Sequence, residues 1–294
     1  MTRILSSLSE IAAGYDALLC DLWGCLHNGK APFPAAVAAL QAFRAGGGRV
    51  ALVTNAPRPS PIVIRQLDKM GVPRDAWDVV ASSGDAAQYG LFTGAVGQKV
   101  WHLGPEKDDS FFTHPPEDID DALPIERVDF DTAEGIVCTG PFDEMTDQPE
   151  DYRGRFLAAK ARGLVMLCTN PDLVVDFGET RIYCAGALAQ LYEEMGGKAL
   201  YFGKPHPPIY DLARRRLEVD AGKAFDNGRL LAVGDGIATD VQGGQSEGID
   251  TVFITGGLAA AEFGPDPENP DPALLDPWLD ERRIAATYAM GKLR

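Results

Sequence analysis

Four short stretches of this chain carry oxygen and nitrogen groups suited to handling a phosphoryl group and a divalent cation. Asp21 ends the apolar run Leu18-Leu19-Cys20, and Thr54-Asn55 ends Val50-Ala51-Leu52-Val53. Lys204 lies between Gly203 and Pro205; Asp235 follows Leu230-Leu231-Ala232-Val233-Gly234, and Asp240 comes five residues later. Carboxylates gathered together repel one another unless they are protonated or bound to a cation, and an all-oxygen set suits Mg²⁺. Taken singly, Asp240 reads more readily as a helix cap, Lys204 as a surface lysine and Thr54-Asn55 as a strand-to-loop turn. The order of the set, each member at a predicted strand edge, favours the joint reading.

The elements that must position these groups are short apolar runs stopping at a polar residue, the pattern of buried parallel strands. Gly24 allows a sharp turn just after Asp21. In an open parallel sheet, ligands bind outside the carboxyl ends of the strands, so several such ends can address one spot. Ser7-Leu8-Ser9-Glu10 has capping-box spacing and predicts a short helix to Ala13. A strand is predicted over 15–21, a helix from Pro34 to the glycines at 46–48, and a strand over 49–54, which together make a right-handed βαβ unit. A helix from Ser60 to Met70, a strand over 77–81 and a helix over 83–91 follow.

From about Gly94 the texture changes. Strands are predicted over 99–103, 135–139, 164–168 and 181–184, with helices over 150–162 and 186–195 and surface loop over 105–131. This is a second α/β unit inserted into the first. The predicted division is a core over 1–90, the insert over 91–198 and the rest of the core over 199–294. In that last part, strands at 199–202, 229–233 and 251–254 and helices at 207–217 and 238–247 are expected, and the tail beyond Ala261 reads as loop. The fold class is therefore α/β, a Rossmann-like parallel-sheet core with an inserted α/β domain.

Composition narrows the functions. The 294 residues are 45% hydrophobic, enough for a substantial core, and the formal net charge is −16. That charge argues against nucleic acid or an anionic membrane as partner, and an anionic substrate would need locally fixed positive charge, such as a metal and one lysine. Five cysteines, an odd number without a Cys-x-x-Cys pair, point to a reducing, cytoplasmic setting rather than a disulfide framework. No signal-like start or run of membrane-spanning length is present, so export or insertion is not expected. Gly46-Gly47-Gly48 precedes a strand, whereas a dinucleotide-binding loop would follow one. Cys20, Cys25 and His27 form an unconvincing soft-metal cluster, because both cysteines read as small packed side chains.

The ordered set of motifs resembles the haloacid dehalogenase superfamily of hydrolases, in its class IIA branch of p-nitrophenyl-phosphatase-like, sugar and nucleotide phosphatases. Asp21 matches the first motif, Thr54 the second, Lys204 the third, and Asp235 with Asp240 the fourth; the resemblance spans Tyr15 to Thr255. The insert resembles that branch's cap, with Thr169-Asn170-Pro171-Asp172 matching its substrate-facing loop. The resemblance implies a Mg²⁺-dependent phosphatase acting on a small phosphorylated metabolite. Asp21 would be the nucleophile that forms an aspartyl phosphate, and Thr54 with the backbone of Asn55 and Ala56 would hold phosphoryl oxygens. Lys204 would offset charge, Asn170 and Asp172 would meet the substrate, and Asp21, the Trp23 carbonyl, Asp235 and Asp240 would form the metal shell. Asn170 and Asp172 also suit an Asx turn around Pro171, and the two readings are compatible. Homo-oligomerisation is left open.

The chain departs from the family pattern at Trp23, where the phosphatases carry a second Asp that protonates the leaving group and later activates water. An indole cannot transfer that proton. General acid–base catalysis is worth about 10²- to 10⁴-fold, so a slow phosphatase is expected unless another group substitutes, and His27 and His206 are the nearest in sequence. Two alternatives follow: a phosphate-binding or regulatory protein without turnover, and a C-halogen hydrolase. The superfamily's dehalogenases also place an aromatic residue at that position, but they need no acidic fourth motif, which weighs toward phosphate and Mg²⁺.

Overall fold

A computed structural model of the protein describes residues 2–113, 115–116, 119–177 and 180–294. The chain forms two compact units. The first comprises the chain up to Thr54, Pro61–Ala81 and Lys204–Arg294; the second comprises Asn55–Ser60 and Ser82–Gly203.

The first unit is built on a seven-stranded sheet. Its strands, in spatial order, are Arg3–Ile4, Tyr288–Met290, Asp250–Ile254, Leu230–Gly234, Ala17–Cys20, Arg49–Thr54 and Val79–Ser82. Ala17–Cys20 is buried along its whole length and lies parallel to both neighbours, which is why it reads as an unbroken apolar run. The helix Pro34–Ala45 starts with Pro34 and buries Ala36, Val37, Leu40 and Phe43 along one stripe. The helix Pro207–Ala221 also begins at a proline and stops at Gly222, whose φ of 65° suits a residue without a side chain.

The second unit has its own five-stranded sheet, ordered Lys198–Tyr201, Val165–Cys168, Gly135–Cys138, Lys99–Leu103 and Glu126–Arg127, with every pairing parallel. One face packs on the helices Arg153–Ala161 and Ala185–Glu194 through Phe156, Leu188 and Tyr192, all 0% exposed. The Tyr192 hydroxyl donates to the Leu164 carbonyl at 2.7 Å, which satisfies the one polar atom of that buried ring.

Several expectations are corrected. The strand expected at 199–202 runs from Lys198 to Tyr201 and pairs with Val165–Cys168, so it belongs to the second unit; the helix Ser83–Phe92 belongs there too. The long segment of the second unit runs from Ser82 to Gly203. The capping-box segment forms two 3-10 turns, Leu8–Glu10 and Ala12–Gly14, in place of one helix. The helix expected at 238–247 is split into a π turn, Ile237–Val241, and a short α-helix, Gln242–Ser246.

The stretch 105–131 is not all loop. It contains the 3-10 segment Glu106–Phe112, anchored by buried Phe111, and the edge strand Glu126–Arg127; His114, Glu117 and Asp118 in this stretch lie outside the described residues. The strand near 181–184 is one arm of an antiparallel hairpin, Val174–Phe177 with Thr180–Tyr183. The tail forms the helix Pro272–Arg282 and the strand Tyr288–Met290, held by Leu275, Leu279 and the stacked rings of Phe253 and Trp278.

Candidate active site

Strand register brings the predicted residues to one rim of the first unit. Cys20 pairs with Val233 on one side and with Leu52 on the other. Asp21 therefore emerges one residue beyond the sheet, near Thr54 and Asp235, which end the flanking strands. The Asp21 amide still donates to the Val233 carbonyl at 2.8 Å, which fixes the direction in which Asp21 leaves. Lys204 reaches the same rim: its Nζ lies 2.6 Å from Asp21 Oδ1 and 2.7 Å from Asp240 Oδ1. Asp21, Thr54, Lys204, Asp235 and Asp240 are all buried.

Two of these carboxylates are held from behind. Asp235 Oδ2 accepts the Leu258 amide at 2.9 Å, and Asp240 Oδ2 accepts the Gly236 amide at 3.1 Å and the Thr239 hydroxyl at 3.3 Å. Space for Asp235 is made by missing side chains, because a Cβ on Gly24 would lie 2.0 Å from its Oδ2 and one on Gly257 2.1 Å. Gly24 also has φ +74°, so the position demands glycine twice over. The Leu258 contact has a faint signal in the sequence, the Gly-Gly pair just past the strand that ends at Ile254.

The charges are unbalanced. Burial opposes charge on Lys204, but Asp21 and Asp240 override it and hold the ammonium well above its ordinary range. Burial, followed by repulsion from Asp21 and Asp240, pushes Asp235 up to about 8. Burial likewise raises Asp240, with Lys204 offsetting only part of the effect. Three carboxylates share one ammonium, so a cation placed among them would relieve the repulsion. One oxygen each of Asp21 and Asp235 and the sulfur of Cys25 lie within 4.8 Å of one another. The oxygens suit a hard cation; the thiol, its pKa raised mainly by burial, is a neutral neighbour.

In the second unit, Asn55 Nδ2 donates to Asp172 Oδ1 at 2.8 Å, which joins two residues that sequence reading singled out separately. Asn170 Oδ1 accepts the Asp172 amide at 3.0 Å, the Asx turn expected around Pro171. Ala56 turns its carbonyl to the Gly84 amide at 3.0 Å, and Asp85 takes the Ser60 amide at 2.8 Å, so the segment after Thr54 is tied to the start of the helix Ser83–Phe92.

Comparison with known proteins identifies the family. A haloacid dehalogenase-like hydrolase profile matches residues 18–114, and a second, HAD-hydrolase-like profile matches residues 201–276. A crystal structure of a haloacid dehalogenase-like hydrolase from Brucella suis is 37% identical; the match covers 99% of this chain and all of that one, with a TM-score of 0.84. The chain is a haloacid dehalogenase-like hydrolase. A 5'-nucleotidase of Bacillus subtilis is 25% identical over 90% of this chain and 98% of its own length. The glycerol phosphate phosphatase of Mycobacterium tuberculosis, solved in complex with magnesium, has a TM-score of 0.63 at 24% identity, covering 89% of this chain and 72% of that one.

Within this hydrolase, Trp23 follows Asp21 by two residues, and its side chain is 46% exposed. The indole meets His27 edge-on, with centroids 5.4 Å apart at 75°, and lies over Gly29, where a Cβ would come within 2.3 Å of the ring. His27 is buried, and burial lowers its pKa to about 4, so the ring is neutral near pH 7. Its Nδ1 accepts the Gly29 amide at 3.1 Å, which leaves the proton on Nε2. His206 precedes the helix Pro207–Ala221 as its N-cap residue, with no capping bond from its side chain.

Proposed function

We propose that this hydrolase is a Mg²⁺-dependent phosphatase of small phosphate esters with Asp21 as its nucleophile. The observation that carries the reading is the buried Asp21–Lys204–Asp240 bridge on the rim that also holds Thr54 and Asp235. Lys204 orients the Asp21 carboxylate and offsets the charge that gathers as it meets phosphorus. A new Asp21 oxygen–phosphorus bond forms while the bond to the leaving oxygen breaks, and that oxygen keeps the electron pair. Water then attacks the aspartyl phosphate, which releases phosphate and restores Asp21.

Asp21, Asp235 and the Trp23 carbonyl would hold Mg²⁺, and Asp240 supports the site through Lys204. The cation, when bound, supplies charge neutralisation at the phosphoryl oxygens. The raised pKa of Asp235, due first to burial and then to repulsion from Asp21 and Asp240, supports this assignment, because a bound cation would offset both. Thr54 with the backbone of Asn55 and Ala56 would grip the phosphoryl group, and the second unit, through Asn170 and Asp172, would act as the cap that selects the substrate. Relatives named as a nucleotidase and a glycerol phosphate phosphatase support a small phosphorylated metabolite as substrate.

The test is phosphate release from p-nitrophenyl phosphate with Mg²⁺. Asp21→Asn should abolish it, and an Asp21→Asn protein of full activity would overturn the mechanism. Trp23 favours one rival, a phosphate-binding protein without turnover, which would show saturable phosphate affinity and no product from any ester. A C-halogen hydrolase would instead release halide from a 2-haloacid in the presence of a chelator.

A further inference from the structure

Several of the titratable and N–H groups around Asp21 are engaged with other partners. Lys204 gives hydrogens to Asp21 and Asp240. Asp240 accepts on both oxygens, and Asp235 accepts the Leu258 amide. The Cys20 thiol donates to the Asp21 backbone carbonyl at 3.2 Å, and the Tyr210 hydroxyl to the Thr239 carbonyl at 3.4 Å. Cys25 is 1% exposed. His27 Nδ1 accepts the Gly29 amide and so has no proton to give, and the ring packs edge-on against Trp23. The Trp23 N–H is no acid in water.

Neither Trp23 nor these engaged groups is placed to hand a proton to a leaving oxygen. Alkanols resemble water, whose pKa is about 15.7, whereas a phenol lies near 10. That gap of roughly six units falls on an unassisted P–O cleavage, and it is the gap that a general acid usually closes.

A second observation concerns shape. Gly29 and His27 wedge the Trp23 ring in place, yet nearly half of that side chain faces solvent. A rigid exposed indole presents a π face to a flat partner.

We propose, building on the phosphatase reading, that the substrate is an aryl or enol phosphate whose planar leaving group stacks on Trp23 and departs as the oxyanion. Asp21 forms its bond to phosphorus, the P–O bond to the leaving group breaks, and the electron pair stays on an aryloxide or enolate oxygen that water later protonates. A glycerol phosphate is an alkyl phosphate, so the preference separates this chain from the relatives that bear that name.

The experiment measures kcat/KM with Mg²⁺ for substituted phenyl phosphates and for glycerol 3-phosphate, using wild type, Trp23→Asp and Trp23→Leu. Wild type should favour the p-nitrophenyl ester over the alkyl ester by about 10²-fold or more, the scale of a missing general acid. Trp23→Asp should narrow that gap by raising the alkyl rate. Trp23→Leu should raise KM several-fold more for the aryl series than for the alkyl ester. Wild-type rates for alkyl and aryl esters within tenfold of each other would overturn the proposal, and an unchanged aryl KM in Trp23→Leu would overturn its stacking part. Phosphate release from none of the esters, even the most activated, would instead sink the phosphatase reading beneath it.

Discussion

Replacing Gly24 with alanine perturbs the site through one added carbon. At φ +74° an alanine carries about 1–2 kcal/mol of backbone strain. Its Cβ would also sit 2.0 Å from Asp235 Oδ2, far inside the 3.4 Å at which ordinary contact begins. The carboxylate cannot simply retreat, because Gly257 closes in from another side and Leu258 holds the same oxygen. Losing the Leu258 bond and leaving its amide unpaired costs about 1–3 kcal/mol more. At roughly 2–4 °C per kcal/mol for a domain of this size, Gly24→Ala should lower Tm by about 10 °C. Displacing a ligand from its support typically weakens metal binding about 10- to 100-fold, which calorimetric titration with Mg²⁺ would read directly. A Gly24→Ala protein with unchanged Tm and unchanged Mg²⁺ affinity would refute both the crowding argument and the role given to Asp235.

Three further outcomes follow from the same geometry. Lys204→Met leaves two buried carboxylates uncompensated and should cost about 3–5 kcal/mol in denaturant titration, part of it recovered by Mg²⁺; an unchanged midpoint would mean the bridge is not ionised. Between about pH 4 and the raised pKa of Asp235, about 8, the folded protein holds a proton that the unfolded chain has lost, so cation-free stability falls as pH rises. The depressed pKa of His27, about 4, acts oppositely, removing stability as pH falls below about 6.5, but it does not depend on Mg²⁺. Because the cation needs Asp235 ionised, the Tm rise on adding Mg²⁺ should grow from about pH 5 to about pH 8, and a rise independent of pH would contradict the assignment. Asn55→Ala removes the 2.8 Å bond to Asp172 and should raise KM several-fold more than it lowers kcat, read from steady-state kinetics; unchanged constants would remove Asp172 from substrate selection.

The rim was legible because Asp21, Thr54 and Asp235 each end a wholly apolar run, and parallel strands of similar length must deliver their last residues to one edge. Lys204 was legible only in company with them, since nothing in Gly-Lys-Pro says which way the side chain points. The tail was misread because Pro277 and a scatter of acidic residues hide a helix that burial of Leu275 and Leu279 stabilises. The strand Lys198–Tyr201 was assigned to the wrong unit because a four-residue strand carries no mark of the sheet it joins; partner and register are tertiary facts. The packing of Trp23 on Gly29 and His27 lay equally out of reach, since it depends on a loop whose turn residues constrain backbone but not rings.

Rapid acid quench during turnover of p-nitrophenyl phosphate with Mg²⁺, followed by peptide mass spectrometry, asks directly whether Asp21 becomes phosphorylated. The account predicts one phosphoryl group on the peptide containing Asp21, accumulating early because Trp23 stands where the family's water-activating Asp would be, and absent from Asp21→Asn. Steady phosphate release with no phosphorylated peptide, or with the label on another residue, would contradict it.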